Sequence, residues 1–309
     1  MSSRNIGKDS LKITMSRMIA LVISMIAAML LSRFRTLEEF GTYSQIYLLA
    51  TLFSTIILLG VPNSISYFLA RAETDDEKQK FLSLHFLLST SLSLLTGLVL
   101  AATAPLAVRY FDNPMLKNFV FALMLFPWAK TMINSIDAIY VIYNKTSRLM
   151  IFKIVNSVLL LAIVIITTVF KLDFLTYMIL FIGVQVSFAV LVYIIVARLS
   201  GRLYLCFDKK LTKKILKFSI PIGLSGVLTV LNIQMDKLLI GKFFSTEELA
   251  IYTNAAREMP LTIVGASITV VLLPQLIRLF KKNKKKQAIN LWKDSIVISY
   301  IFVCFFAVV

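Results

Sequence analysis

Nine apolar runs divide this sequence, and they restrict it to one class of fold. They cover residues 13–32, 43–69, 81–104, 117–143, 149–170, 174–197, 215–240, 249–277 and 295 to the end. A helix crosses the hydrocarbon core of a bilayer with about 20 apolar residues. Backbone polar groups in lipid must be satisfied within the segment, so runs of this kind become helices. The chain is 58% hydrophobic with a mean hydropathy of +0.83, above the apolar share of a soluble domain. The expected fold is an all-α polytopic transmembrane bundle. The first run follows Arg4, Lys8 and Lys12. It is too long for the apolar part of a signal peptide, and no clear cleavage site follows, so it reads as a retained helix.

The charges between the runs set the orientation. The net charge of +17 taken alone invites a nucleic-acid reading. With the N-terminus inside, however, 24 of the 33 Lys and Arg fall in cytoplasmic segments, six fall outside and three lie within helices. This is the positive-inside bias of a membrane protein, and no nucleic-acid partner is expected. The three in-helix cations are Lys130, Lys237 and Arg257.

One motif occurs twice. Residues 33–44 read RFRTLEEFGTYS and residues 242–253 read KFFSTEELAIYT, at an offset of 209. Each copy closes one apolar run and opens the next. Pro62 and Pro274 repeat at an offset of 212, and Lys78-Gln79 and Lys286-Gln287 at 208. Matches in order at nearly fixed offset indicate an internal duplication. Six runs separate the copies, so both enter the membrane in the same direction, as parallel repeats do. The expected organisation is an N-terminal lobe of six helices over 1–197, a basic cytoplasmic linker over 198–214, and a partial C-terminal lobe of three helices over 215–309, around a central cavity. The linker could be a pivot, a surface segment on anionic lipid, or a solvated connection. Repeat arithmetic carries the second copy beyond residue 410, so the sequence is expected to be a piece of a longer protein.

Charge at bilayer depth is costly and normally faces a cavity or a partner. The 117–143 run and its end carry Lys130, Asn134, Asp137 and Asn144 at steps of three, four and seven, near one helical face. The 215–240 run carries Ser225, Thr229, Asn232 and Asp236, with Lys237 beside them. The first helix, with the residues leading into its run, carries Ser10, Thr14, Arg17 and Ser24. The third carries His85, Ser89 and Ser93, with His85 placed near the cytoplasmic interface. Asn254, Arg257 and Glu258 open the eighth. For Ser and Thr, hydrogen bonding between helices is the plainer explanation. For Arg17, Lys130, Asp137, Asp236 and Arg257 the reading leans to a hydrated lumen. Asp236 and Lys237 could also be a pair within their own helix. Pro62, Pro127, Pro221, Pro260 and Pro274 can kink their helices. Gly60, Gly223, Gly226 and Gly265 permit close helix contact.

No catalytic constellation is visible. The sequence has no phosphate-binding Gly-rich loop, no Cys/His cluster and no Ser-His-Asp set. Its single histidine rules out a multi-His metal site. The expectation is a protein that is not an enzyme and has no cofactor.

Several stretches resemble the polysaccharide-exporter flippases (Wzx-type O-antigen flippases) of the multidrug/oligosaccharidyl-lipid/polysaccharide (MOP) superfamily. They are RTLEEFGTYS, GVPNSISYFLAR, FSIPIGLSGVLTVLNIQMDKLLIGKFFSTEELAIYTNAARE and LLPQLIRLF. The resemblance implies two lobes around a cavity and twelve to fourteen helices. It implies transfer of undecaprenyl-pyrophosphate-linked oligosaccharide across the bacterial cytoplasmic membrane, often with coupling to H+ or Na+. The expected partners are that lipid-linked oligosaccharide, membrane lipids and polysaccharide assembly proteins. A lipid pyrophosphate is anionic, so Arg17, Lys130 and Arg257, and more weakly Lys237, are the candidate cations facing it. Asp137, Asp236 and Glu258 are candidates for pairing with them or for taking a coupling ion. Asn134 and Asn232 are candidate polar lining. The competing readings are a cation-coupled multidrug exporter of the same superfamily, a membrane polymerase or ligase, and a non-transporting scaffold.

Overall fold

The structure, a computed structural model, describes residues 3–256 and 284–308. For residues 3–14, 16–17, 298–299, 301–303 and 305–308 the description is of the backbone alone. The described residues form ten α-helices: α1 (Ser3–Phe34), α2 (Leu37–Leu58), α3 (Asp75–Ala102), α4 (Ala104–Phe111), α5 (Val120–Ile142), α6 (Thr146–Val169), α7 (Phe174–Ser200), α8 (Lys209–Phe243), α9 (Thr246–Ala255) and α10 (Lys285–Val308). No strand occurs among the described residues. Among the described residues, six segments are long and apolar enough to cross a membrane: Leu37–Leu58, Asp75–Ala102, Pro114–Ile142, Thr146–Val169, Phe174–Ser200 and Lys209–Phe243. The protein is therefore an all-α, multi-pass membrane protein. The eighth apolar run lies outside the described residues beyond Ala256, together with Arg257, Glu258, Pro260, Gly265 and Pro274.

The duplicated motif is a helix start. Thr36 caps α2: its Oγ1 accepts from Glu39 N at 3.1 Å, and the Glu39 carboxylate accepts from Thr36 N at 3.2 Å. Ser245 and Glu248 repeat the arrangement at α9, with distances of 3.1 and 2.8 Å. Such a reciprocal box satisfies two orphan donors, and the Glu pairs in each first turn favour the helix dipole. The two starts also touch. Gln45 Nε2 donates to Thr246 Oγ1 at 3.3 Å, and Gln45 Oε1 accepts from Asn113 Nδ2 at 2.7 Å. A Cβ on Gly41 would stand 2.3 Å from the Thr246 carbonyl oxygen. The two helices thus enter side by side from one end of the bundle, called below the capping-box end.

One expected helix is interrupted. The 43–69 run is continuous in hydropathy, yet α2 stops at Leu58. Leu59 and Gly60 adopt left-handed backbone angles, with φ of 42° and 75°. Pro62 then sits in a single 3-10 turn, Val61–Asn63, before a π-helical turn, Ile65–Leu69. The cause is contact with α8: a Cβ on Gly60 would meet Ser219 O at 2.6 Å, and one on Gly223 would meet Leu59 C at 2.2 Å. Only a backbone bent away at residues 59–60 passes α8 so closely.

Packing places α2 at the centre. α1 lies on α6, α3 on α5, and α5 on α7, while α2 meets α3, α8 and α9. One buried cluster, around Phe40, Phe111, Phe119, Phe174 and Met178, fills the capping-box end. A second, around Ile65, Phe81, Met132, Phe188 and Ile215, fills the opposite end. His85 is fully buried there. Its two ring nitrogens lie 3.2 Å from Ser64 Oγ and 3.2 Å from Ser89 Oγ. The polar face of α3 is consumed by this internal network. The expected linker over 198–214 is only partly irregular. Asp208 accepts from Leu211 N at 2.9 Å and starts α8 at Lys209, so its second part is helical. The segment between the third and fourth expected spans also folds, into α4 and the 3-10 turns Pro114–Phe119.

Candidate functional site

α2 carries Tyr43, Tyr47, Thr51 and Thr55 at steps of four, so one face of the helix is lined with hydroxyls and aromatic rings. Three cavities open along that face. The first, about 320 Å³, lies among α1, α2, α6 and α7 and is lined by Ser24, Tyr43, Tyr47, Tyr177 and Phe181. The second, about 370 Å³, lies among α2, α8 and α9 and is lined by Tyr43, Tyr47, Gln234, Asp236, Lys237 and Thr253. The third, about 300 Å³, lies among α2, α5 and α8. Its lining includes Thr51, Ser54, Lys130, Asn134, Gly223 and Gly226.

Lys130 lines the third cavity and reaches toward Tyr47, which lines the first and second. Its Nζ sits 3.9 Å from the centre of the Tyr47 ring and donates to Thr51 Oγ1 at 2.7 Å. The ring face offsets part of the cost of holding an ammonium away from water. No carboxylate pairs with Lys130 among the described residues. An ammonium has three N–H donors and the hydroxyl uses one, so Lys130 retains donors for an anion. Asn134, one turn further along α5, lines the same cavity. Ser54 Oγ is buried there without a hydrogen-bond partner among the described residues.

The other sequence candidates disperse. Asp137 leaves this group: its Oδ1 lies 2.8 Å from Lys153 Nζ on α6, an ion pair without hydrogen-bond alignment. Lys153 stands two turns into α6, where the helix register brings it to Asp137. Asp236 accepts a hydrogen bond from Tyr252 Oη, and its Oδ1 accepts from Lys237 N at 2.7 Å. Among the described residues the Asp236 and Lys237 side chains form no ion pair, and both line the second cavity. Asn232 is exposed on α8. Asn144 sits beyond the end of α5 with φ of 56° and belongs to no helical stripe. Arg257, Glu258 and the side chain of Arg17 lie outside the described residues. Tyr47 and Thr51, which hold Lys130, were not singled out from the sequence. Their i, i+4 spacing facing a lone lysine was the available signal.

Close contacts tie α2 and its neighbours to α8 and α9 at both ends of the bundle. At the capping-box end the Gly41–Thr246 contact joins α2 to α9. There too, Tyr110 Oη on α4 donates to Leu238 O of α8 at 3.3 Å. At the opposite end Gly60 meets Gly223, and Tyr67 stacks on Phe218 with ring centres 4.4 Å apart. The spaces between are at the small end for a drug-sized ligand, so a larger solute requires one of these contacts to open.

A family model described as polysaccharide biosynthesis protein matches residues 30–309. The probable lipid II flippase MurJ of Rhizobium tropici is 32% identical over 85 residues, which are 27% of this chain and 16% of that protein. The aligned part is thus a small fraction of the relative's length. Two solved transporters share the fold. A MATE protein in the straight conformation has a TM-score of 0.55 and 11% identity, over 96% of this chain and 70% of its own. A MOP superfamily transporter from Pyrococcus furiosus has a TM-score of 0.58 and 12% identity, over 96% and 69%. On the family match along nearly its whole length, this chain belongs to the polysaccharide biosynthesis protein family and is a multi-pass membrane protein with the helix arrangement of MOP transporters.

Proposed function

We propose that this protein is a flippase that carries an undecaprenyl-pyrophosphate-linked oligosaccharide from the cytoplasmic to the outer leaflet of the bacterial inner membrane. The observation that carries this reading is Lys130: a cation on a cavity wall between α2, α5 and α8, held by a ring face and a hydroxyl, with no carboxylate partner among the described residues. Such a group attracts an anionic headgroup while the polar lining tolerates the glycan. The family supplies the substrate class: its members serve polysaccharide synthesis, and a matched relative is named as a lipid II flippase.

Movement follows from the two closures. α2 lies against α8 and α9 through Gly223 and Thr246, contacts so close that they are either made or broken. Alternating access between two parallel lobes would break the Gly60–Gly223 and Tyr67–Phe218 contacts to admit substrate, and the Gly41–Thr246 contact to release it. The loop charges orient the N-terminus toward the cytoplasm, so the Tyr67–Phe218 end faces the donor leaflet. We assign Lys130 and Lys237 to the headgroup, with Arg17 and Arg257 as further cations. Asp236 is the carboxylate for a coupling proton or sodium ion, and Glu258 a second. Asp137 is occupied by Lys153.

The test is export of surface glycan in cells whose own flippase is deleted. Replacement of Arg17, Lys130 and Arg257 by Ala in the intact protein should abolish export while the protein remains in the membrane. Unchanged export would refute the assignment.

A further inference from the structure

We propose that the segment joining α7 to α8 is an anionic-lipid anchor, which seats this end of the bundle on negatively charged phospholipid headgroups. Residues 201–208 run without helix between Ser200 and Lys209. The segment is fixed, not loose. Gln79 Nε2 donates to Arg202 O at 2.8 Å, Tyr204 N donates to Ser83 Oγ at 3.3 Å, and Lys80 Nζ lies 2.7 Å from Asp208 Oδ2. The three partners all stand on the first turns of α3.

Within this strap the side chains divide. Cys206 is buried at 7% exposure, whereas Leu205 is 77% and Phe207 84% exposed, with Tyr204 at 48%. A rigid backbone therefore presents Leu205 and Phe207 outward, side by side around an inward Cys206. Water is a poor environment for that pair. Their depth supplies another. The strap bonds to Gln79 and Ser83, which bracket Phe81, where the apolar run of α3 begins. It thus lies at the boundary between headgroups and acyl chains, where amphipathic segments insert apolar residues.

Charge identifies the lipid. Arg202 within the strap and Arg198, Lys209, Lys210, Lys213, Lys214 and Lys217 beside it are all exposed, and none forms an ion pair among the described residues. The one acidic residue over 198–217 is Asp208, and Lys80 takes it. A fixed apolar wedge ringed by seven uncompensated cations complements an anionic leaflet surface. This site is separate from the cavities and does not depend on what they carry.

The test places Trp in the strap as Phe207→Trp, with Leu205→Trp as a second variant if the first does not fold. The unsubstituted chain serves as baseline for Trp128 and Trp292. The chain is reconstituted in nanodiscs of phosphatidylcholine with phosphatidylglycerol. The bromine label is carried high on the acyl chain of one lipid or the other at equal mole fraction. The added Trp should emit blue-shifted light and be quenched by either brominated lipid, with about twofold stronger quenching by the anionic one. Changing Lys209, Lys210, Lys213 and Lys214 to Gln should remove the difference and leave the quenching. Three outcomes overturn the proposal. Emission quenched by aqueous acrylamide and not by lipid means a solvated linker. Protection from both quenchers means a protein partner. Equal quenching by the two lipids in the otherwise unsubstituted chain means no anionic preference.

Discussion

Lys130 and Asp137 stand seven residues apart on α5, and they meet different fates. Asp137 is matched by Lys153 on the neighbouring α6, inside the N-terminal helices. Lys130 faces the crossing with α8 and rests on Tyr47 and Thr51 without a counter-charge among the described residues. The difference teaches that equal residence in the membrane does not imply equal purpose. A charge paired across two packed helices ties them together, whereas one left without a counter-charge on a cavity wall keeps donors to spare.

The largest effect tests the paired member. Asp137→Ala strands the Lys153 ammonium, and a half-broken internal pair is costly. The variant should lose about 2–4 kcal/mol of unfolding stability in detergent. The double variant Asp137→Ala with Lys153→Met should recover most of it. A single variant as stable as the parent would show that the pair is no structural tie. Next comes the crossing itself. Gly223→Ala drives a Cβ to 2.2 Å from the Leu59 backbone, an overpacking cost of about 1–3 kcal/mol on the closed contact. A cysteine at Thr55 should then react faster with a water-soluble maleimide, and an unchanged rate would contradict the gate. A smaller effect touches the unpaired member. Thr51→Val removes the 2.7 Å hydrogen bond to Lys130, worth about 1 kcal/mol, and should lower export several-fold without loss of protein.

The smallest effect lies outside the membrane. The hydrogen bond from Lys80 holds the Asp208 carboxyl down at about 2, against an ordinary 3.8. A depressed carboxyl contributes stability that is present above its ordinary value and is lost as pH falls through the lowered one. The strap should therefore stay on α3 at neutral and mildly acidic pH and loosen only between about 4 and 2. Trp emission at position 207 would follow it. A transition near neutral pH would contradict the Lys80–Asp208 tie.

Much of the fold was legible because hydropathy runs mark where backbone must be helical in lipid. The repeated Thr/Ser-x-x-Glu pattern was legible as an echo, and its physical meaning, two touching capping boxes, appears only in three dimensions. The break after Leu58 was not legible. Gly60 and Pro62 permit it, but the approach of Gly223 from the distant α8 requires it. His85 shows the same limit: its position near the start of a run indicated a depth, but not that Ser64 from the broken segment and Ser89 enclose it. For the site, spacing placed Lys130, Asn134 and Asp137 together on α5. The neighbours then divided them, since the rotation of α6 puts Lys153 against only one. Tyr47 and Thr51 were passed over because hydroxyls and rings on a greasy helix look the same whether they serve packing or a lysine.

The most direct measurement compares the two charges in one assay, transfer of a fluorescent lipid-linked oligosaccharide between the leaflets of proteoliposomes, at matched amounts of folded protein. Lys130→Gln should lower the rate by tenfold or more, whereas the stabilised pair variant, Asp137→Ala with Lys153→Met, should stay within about threefold of the parent; a tenfold change being about 1.4 kcal/mol. Transfer that survives Lys130→Gln and fails in the pair variant would contradict the account.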